Sequence, residues 1–143
     1  MLTWQQRVLK VEVMAQKSAV AIVDDDESIR EALIDLLDSY GFKSRSFKSA
    51  EQFLTDANRR SISCMLLDVN MPGRTGIQLQ SLLVSEPNPP AMIFVTSCQD
   101  ERTYAAAMKA GAVAFLAKPV NVPLLMMALE KASDQGDAKS IGH

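Results

Sequence analysis

From Ala19 onward, short apolar runs alternate with longer segments in which apolar residues recur every three or four positions. That rhythm predicts repeated strand and helix units around a parallel sheet, and five of each can be counted. Residues 19–23, 64–67, 91–95 and 114–117 are nearly continuous in apolar or small residues. Strands covered by helices on both faces have this character, so these four are expected to be the inner strands and one covered edge. Residues 43–47 have strand length, but Lys43, Ser44, Arg45 and Ser46 suit a charged, exposed margin that resists pairing with another chain. Helical stripes are clear at Ile29, Leu33, Leu36 and Leu37, and again at Leu125, Ala128, Leu129 and Ala132. Helix starts are marked by capping-box spacings, Ser49 with Gln52 and Thr75 with Gln78, and by single caps at Asp26 and Asn121. The pattern divides the chain into an N-terminal extension (1–18), expected to be loosely ordered, a folded domain (19–133) and a C-terminal tail (134–143).

Composition narrows the function classes. The 143 residues, 48% hydrophobic and 22% charged, suffice for one core but not for a second domain of ordinary size. A formal charge of −2 gives no nucleic-acid footprint, so direct nucleic-acid binding is not expected. No apolar run approaches the roughly 20 residues that span a bilayer, and residues 1–18 lack the continuous apolar centre of a signal peptide. Two well-separated cysteines, Cys64 and Cys98, form no CxxC pair, and a reducing cytoplasm is the expected location.

Candidate chemistry sits at the strand ends. Asp24, Asp25 and Asp26 follow the first apolar run and Asp68 follows the third. In an open α/β sheet, ligands bind at the carboxyl ends of strands, so these acids are expected to converge on one pocket. One such acid is commonly a helix cap. Several together repel unless a hard divalent cation sits among them, and Mg²⁺, which prefers oxygen ligands and retains water, fits such a cluster. Thr96 and Lys118 end the remaining two strands. Alone each would be structural or solvated; beside the acids, a hydroxyl donor and an ammonium suit an anionic ligand.

Four segments in order, Val23-Asp24-Asp25, Leu67-Asp68-Val69-Asn70-Met71-Pro72-Gly73, Val95-Thr96-Ser97 and Ala117-Lys118-Pro119, closely resemble the signature of response-regulator receiver domains. The resemblance covers nearly all of the folded part. It implies a flavodoxin-like doubly wound (βα)5 fold with strand order 2-1-3-4-5. It also implies that Asp68 accepts a phosphoryl group, that Asp24, Asp25, Asp68 and the Asn70 carbonyl hold Mg²⁺, and that Thr96 and Lys118 grip the phosphoryl group. The donor would be a sensor histidine kinase or a histidine phosphotransfer protein. The domain would catalyse only its own phosphorylation and dephosphorylation, as a switch and not a conventional enzyme. Thr96 would move toward the phosphoryl group and Phe115 turn inward, although an aromatic at 115 is more often simply a core residue. A cis bond is implied at Lys118-Pro119. The fourth helix, fifth strand and fifth helix would form the face for a homodimer or another partner.

Three departures bear on the site. Three acids in a row leave two registers for the metal pair; Asp24 with Asp25 is preferred because it puts Ile29 and Arg30 where the family has an apolar and a basic residue and frees Asp26 as a cap. Val120 stands where a Phe is frequent. Cys98, two residues past Thr96, lacks a visible activating base. Two rival readings differ in class. A haloacid-dehalogenase-type phosphatase would need an Asp where Asn70 stands, and a phosphate-independent pseudo-receiver would have lost acids or Lys that this chain keeps. No effector segment follows the match, so a stand-alone receiver and a part of a longer regulator are both open.

Overall fold

The computed structural model describes residues 1–7 and 19–141. Among these, β1 (Val20–Val23), β2 (Ser44–Phe47), β3 (Cys64–Leu67), β4 (Ala91–Thr96) and β5 (Ala114–Ala117) pair in parallel in the order β2-β1-β3-β4-β5. The flavodoxin-like topology implied by the sequence is therefore the one observed. The connecting helices are α1 (Glu27–Ser39), α2 (Ala50–Leu54), α3 (Gly76–Val84), α4 (Glu101–Lys109) and α5 (Val122–Ile141).

The strand residues alternate between two core layers. Val20, Ile22, Leu66, Ile93 and Val95 pack with Leu33 and Leu37 of α1 and with Leu125, Ala128, Leu129 and Ala132 of α5. Ala21, Val23, Met65, Leu67, Met92 and Phe94 pack with Phe53 of α2, Leu79 and Leu83 of α3 and Ala107 of α4. A fully buried Leu or Phe contributes roughly 1.5–3 kcal/mol of burial, so the two layers carry most of the fold's stability.

Three expectations change in the structure. β5 is half-buried and ends on exposed Ala117, so it is not the fully covered edge its composition suggested. As a margin strand it has only β4 beside it. The stretch from residue 134, expected to be a tail, continues α5 as helical backbone to Ile141. An existing helix elongates without a new nucleation cost, which outweighs the roughly 1 kcal/mol penalty of Gly136 in a helix interior. Ser49 caps α2 by accepting from the Gln52 N–H, but the Gln52 side chain accepts from Lys48 and not from Ser49, so only half the expected box forms. Thr75 and Gln78 make the complete box at α3. Of the N-terminal extension, residues 4–7 are helical, and the rest of that expectation, 8–18, lies outside the described residues.

β2 is the opposite margin. Its Arg45 forms a bidentate pair with Asp56, at 2.7 Å for one of its contacts, which places charge on the edge as its sequence suggested.

Candidate functional site

Strand register alone brings the first acids together. Val23 is level with Leu67 in the β1–β3 pair, so Asp24 and Asp68 leave adjacent strands side by side. Thr96 is level with Ala117 in the β4–β5 pair, and Lys118 comes next. Main-chain bonds carry the alignment past the strands: the Asp24 N–H donates to Phe47 O (3.1 Å), that of Asp68 to Val23 O (3.1 Å) and that of Lys118 to Thr96 O (3.0 Å).

Asp24, Asp25 and Asp68 each present a carboxylate oxygen, and the three oxygens lie within 4.8 Å of one another. Asp24 and Asp68 are buried and Asp25 is exposed. Asp26 is turned away as the cap of α1, accepting from the N–H groups of Ser28 (2.9 Å) and Ile29 (3.3 Å). Lys118 reaches between the two buried acids, with Nζ 2.7 Å from Asp68 Oδ2 and 2.8 Å from Asp24 Oδ2. The Lys118–Pro119 peptide bond is cis. Asp24 Oδ1 accepts from the Asp26 N–H at 2.9 Å, and Asp68 Oδ1 from the Asn70 N–H at 3.2 Å.

Electrostatics follow from this packing. Burial pushes the Asp24 carboxyl above its ordinary range, because the opposing pull of Lys118 and the Asp26 N–H does not fully offset desolvation. Lys118 loses some proton affinity to burial, but its two carboxylate partners more than restore it and hold the ammonium above the usual lysine range. Three carboxylates thus face one ammonium, a local excess of negative charge. Asp24 Oδ2 is buried and has the Lys118 ammonium, at 2.8 Å, as its ion-pair partner. An oxygen-only donor set of three converging carboxylates fits a hard divalent cation such as Mg²⁺.

The burial of Asp24 has a stability consequence. A carboxyl whose folded pKa is raised favours the fold while protonated, and that contribution fades as pH rises through the folded value. Without divalent metal, Asp24→Asn is therefore expected to raise Tm by a few degrees at pH 7, with the gain over wild type shrinking as pH falls toward 4. Thermal unfolding in EDTA across that range measures it, and a neutral-pH Tm below wild type contradicts it.

Thr96 is fully buried, and its Oγ1 accepts from the Cys98 N–H at 3.1 Å. Phe115 lies outside the acid cluster, half-buried between Phe94 (centroids 5.6 Å apart) and Tyr104 (5.4 Å, edge-on). Two supports had weaker sequence signals. Arg30 Nη1 donates to Asp24 O at 2.7 Å, bracing the acid loop from α1. Gly76, the first residue of α3, has no room for a side chain: a Cβ there would stand 2.0 Å from Asp68 O. The only advance mark of that contact was a glycine directly after the Thr75 cap.

The cysteines lie apart from this chemistry. Burial pushes the Cys64 thiol up to about 12, whereas Cys98 is partly exposed. Iodoacetamide at pH 8 is expected to modify Cys98 alone in the native protein and both thiols after denaturation. Native modification of Cys64, read by peptide mass, contradicts the burial.

Residues 20–130 match the family model described as the response regulator receiver domain. The chain is 36% identical over 117 residues to the response regulator protein TmoT of Ectopseudomonas mendocina, covering 82% of this chain and 53% of that one. It is 36% identical over 124 residues to the transcriptional regulatory protein FixJ of Bradyrhizobium diazoefficiens, covering 87% and 60%. The chain thus spans about half the length of the curated relatives it matches. Among solved structures, the response regulator StyR superposes with a TM-score of 0.80 at 36% identity, over 88% of this chain and 64% of that one. The structure described as FixJ-N superposes with a TM-score of 0.73 at 34% identity, over 82% and 94%.

Proposed function

This chain belongs to the response-regulator receiver family, and we propose that it is a phosphorylatable switch whose acceptor is Asp68. Receiver domains are signalling switches of two-component systems that interact with histidine kinases or phosphotransfer proteins, and they generally bind Mg²⁺ at an acidic pocket. The observation that carries the proposal for this chain is the placement of Asp24, Asp25 and Asp68 around one point with Lys118 bridging the two buried acids.

Asp24, Asp25, Asp68 and the Asn70 carbonyl would hold Mg²⁺. When bound, the ion supplies charge neutralisation and orientation for phosphoryl transfer. An Asp68 carboxylate oxygen forms the new bond to phosphorus as the donor's P–N bond breaks and the imidazole leaves with its electron pair. A carboxylate nucleophile needs no general base. Lys118, kept cationic by its neighbours, exchanges its contact with Asp68 for a phosphoryl oxygen. Thr96 donates its hydroxyl to another, giving up the position in which it accepts from Cys98. Water later cleaves the acyl phosphate, so the chain catalyses its own gain and loss of the group.

The new charge is read out as Thr96 moves and Phe115 turns inward from its half-buried position between Phe94 and Tyr104. Tyr104 on α4 and Leu124 and Met127 on α5 are exposed apolar residues. With β5 they provide the face for a second copy or an output partner. No helix among the described residues is long and apolar enough to cross a membrane. We place the chain in the cytoplasm, with residues 19–133 as the signalling unit and no direct contact with nucleic acid.

Intact mass after incubation with acetyl phosphate, with Mg²⁺ or with EDTA, tests the proposal. The expected result is a gain of one hydroxylamine-labile phosphoryl group in Mg²⁺ only. No gain from acetyl phosphate or from phosphohistidine donors would overturn it in favour of a phosphate-independent interaction module.

A further inference from the structure

The loop from β3 to α3 carries Asn70 and must hold its shape if the acid cluster is to bind a cation well. Its base is fixed by the Gly76 N–H donating to Val69 O at 2.9 Å, and its first residues by the Asn70 N–H on Asp68 Oδ1. Met71 is buried in the core layer beneath. The outer part, Pro72 and Gly73, is exposed.

That outer part rests on Glu51. The Arg74 N–H donates to Glu51 Oε1 at 3.1 Å, across 23 residues of sequence. Gly73 has φ of +77°, and a Cβ there would stand 3.3 and 3.4 Å from the two Glu51 carboxylate oxygens. The carboxylate therefore lies flush against the turn, at a position where any side chain would crowd it. Glu51 in turn sits in the first turn of α2, which is anchored by buried Ala50 and Phe53 and capped by Ser49. An exposed acid thus ties a core-anchored helix to the turn of the loop through a charge-assisted hydrogen bond.

We propose that Glu51 is a positioning residue that fixes the β3–α3 loop and, through it, sets the affinity of the acid cluster for Mg²⁺; the inference rests on the reading of that cluster given above. Without the tie, the loop samples other conformations, and cation binding must also order it. Because Glu51 is exposed, its loss perturbs the loop far more than the core.

The test compares wild type, Glu51→Ala and Glu51→Gln by ¹⁵N NMR. Mg²⁺ titrations are followed at the Asp68 and Asn70 amides, with hydrogen exchange at the Arg74 amide and Tm for each protein. Glu51→Ala is expected to speed Arg74 exchange and to weaken Mg²⁺ binding about fivefold, the scale on which one net hydrogen bond acts, with Tm nearly unchanged. Glu51→Gln retains an acceptor oxygen and is expected to restore most of both. Wild-type affinity in Glu51→Ala, or equal impairment in the two variants, overturns the proposal while leaving the metal site standing. Absence of any Mg²⁺-dependent shift in wild type overturns the cluster reading and the role of Glu51 with it.

Discussion

Asp68→Asn is expected to take up no phosphoryl group from acetyl phosphate at any Mg²⁺ concentration, while folding as the wild type does. The amide keeps the size of the carboxylate, and its one acceptor oxygen serves either Lys118 (2.7 Å) or the Asn70 N–H (3.2 Å), so one hydrogen bond is given up. It is not a nucleophile toward phosphorus. Lys118 retains Asp24 as a partner at 2.8 Å, so the ammonium is not stranded. Removing one of three clustered carboxylates also relieves repulsion. Structural damage is therefore small while the chemistry is lost completely. Intact mass and thermal unfolding of the same preparation separate the two, and undiminished labelling of the variant would contradict the assignment of Asp68.

Gly76→Ala is expected to be the most damaging single-methyl change near the site. The added carbon would fall 2.0 Å from Asp68 O and 3.1 Å from Val69 Cα. Both neighbours are backbone, so no rotamer change relieves the overlap. The first turn of α3 must move away from β3, stretching the 2.9 Å bond from the Gly76 N–H to Val69 O. Overpacking of this kind costs about 1–3 kcal/mol. Here the upper end is expected, together with slower labelling, because the crowded backbone is that of Asp68 itself. Urea unfolding measures the first effect and acetyl phosphate labelling the second. Stability within about 0.5 kcal/mol of wild type, the range of an ordinary surface change, would contradict the close approach.

The parts of the molecule legible in advance are those written locally. Apolar runs marked the strands because a doubly covered parallel strand has no solvent face to alternate with. The 3.6-residue stripes at Leu33 and Leu37 and at Leu125 and Leu129 marked the helix faces that are buried. The pairing of Asp24 with Asp68 followed from strand-end position, since each acid is the first residue past a buried strand. Bonds between distant segments left no such signal. Arg30 was visible only as a basic residue in the expected register, and its bond to Asp24 O comes from the helix turning back over the acid loop. Glu51 and Arg74 belong to different strand-helix units, and nothing periodic connects them. Gln80 lies buried within α3 and donates to Ala107 O at 2.9 Å, a bond between two helices that nothing local in the sequence marks. The extent of α5 was also hidden, because residues 134–141 carry little apolar periodicity and continue a helix begun by others.

The measurement that tests the central claim most directly is chemical trapping of the phosphorylated residue. After reaction with acetyl phosphate and Mg²⁺, sodium borohydride reduces an aspartyl phosphate to homoserine, which peptide mass spectrometry locates in the sequence. Homoserine at position 68 alone, absent when EDTA replaces Mg²⁺, is the expected result. Homoserine at Asp24, Asp25 or any other aspartate, or none at all, would contradict the account.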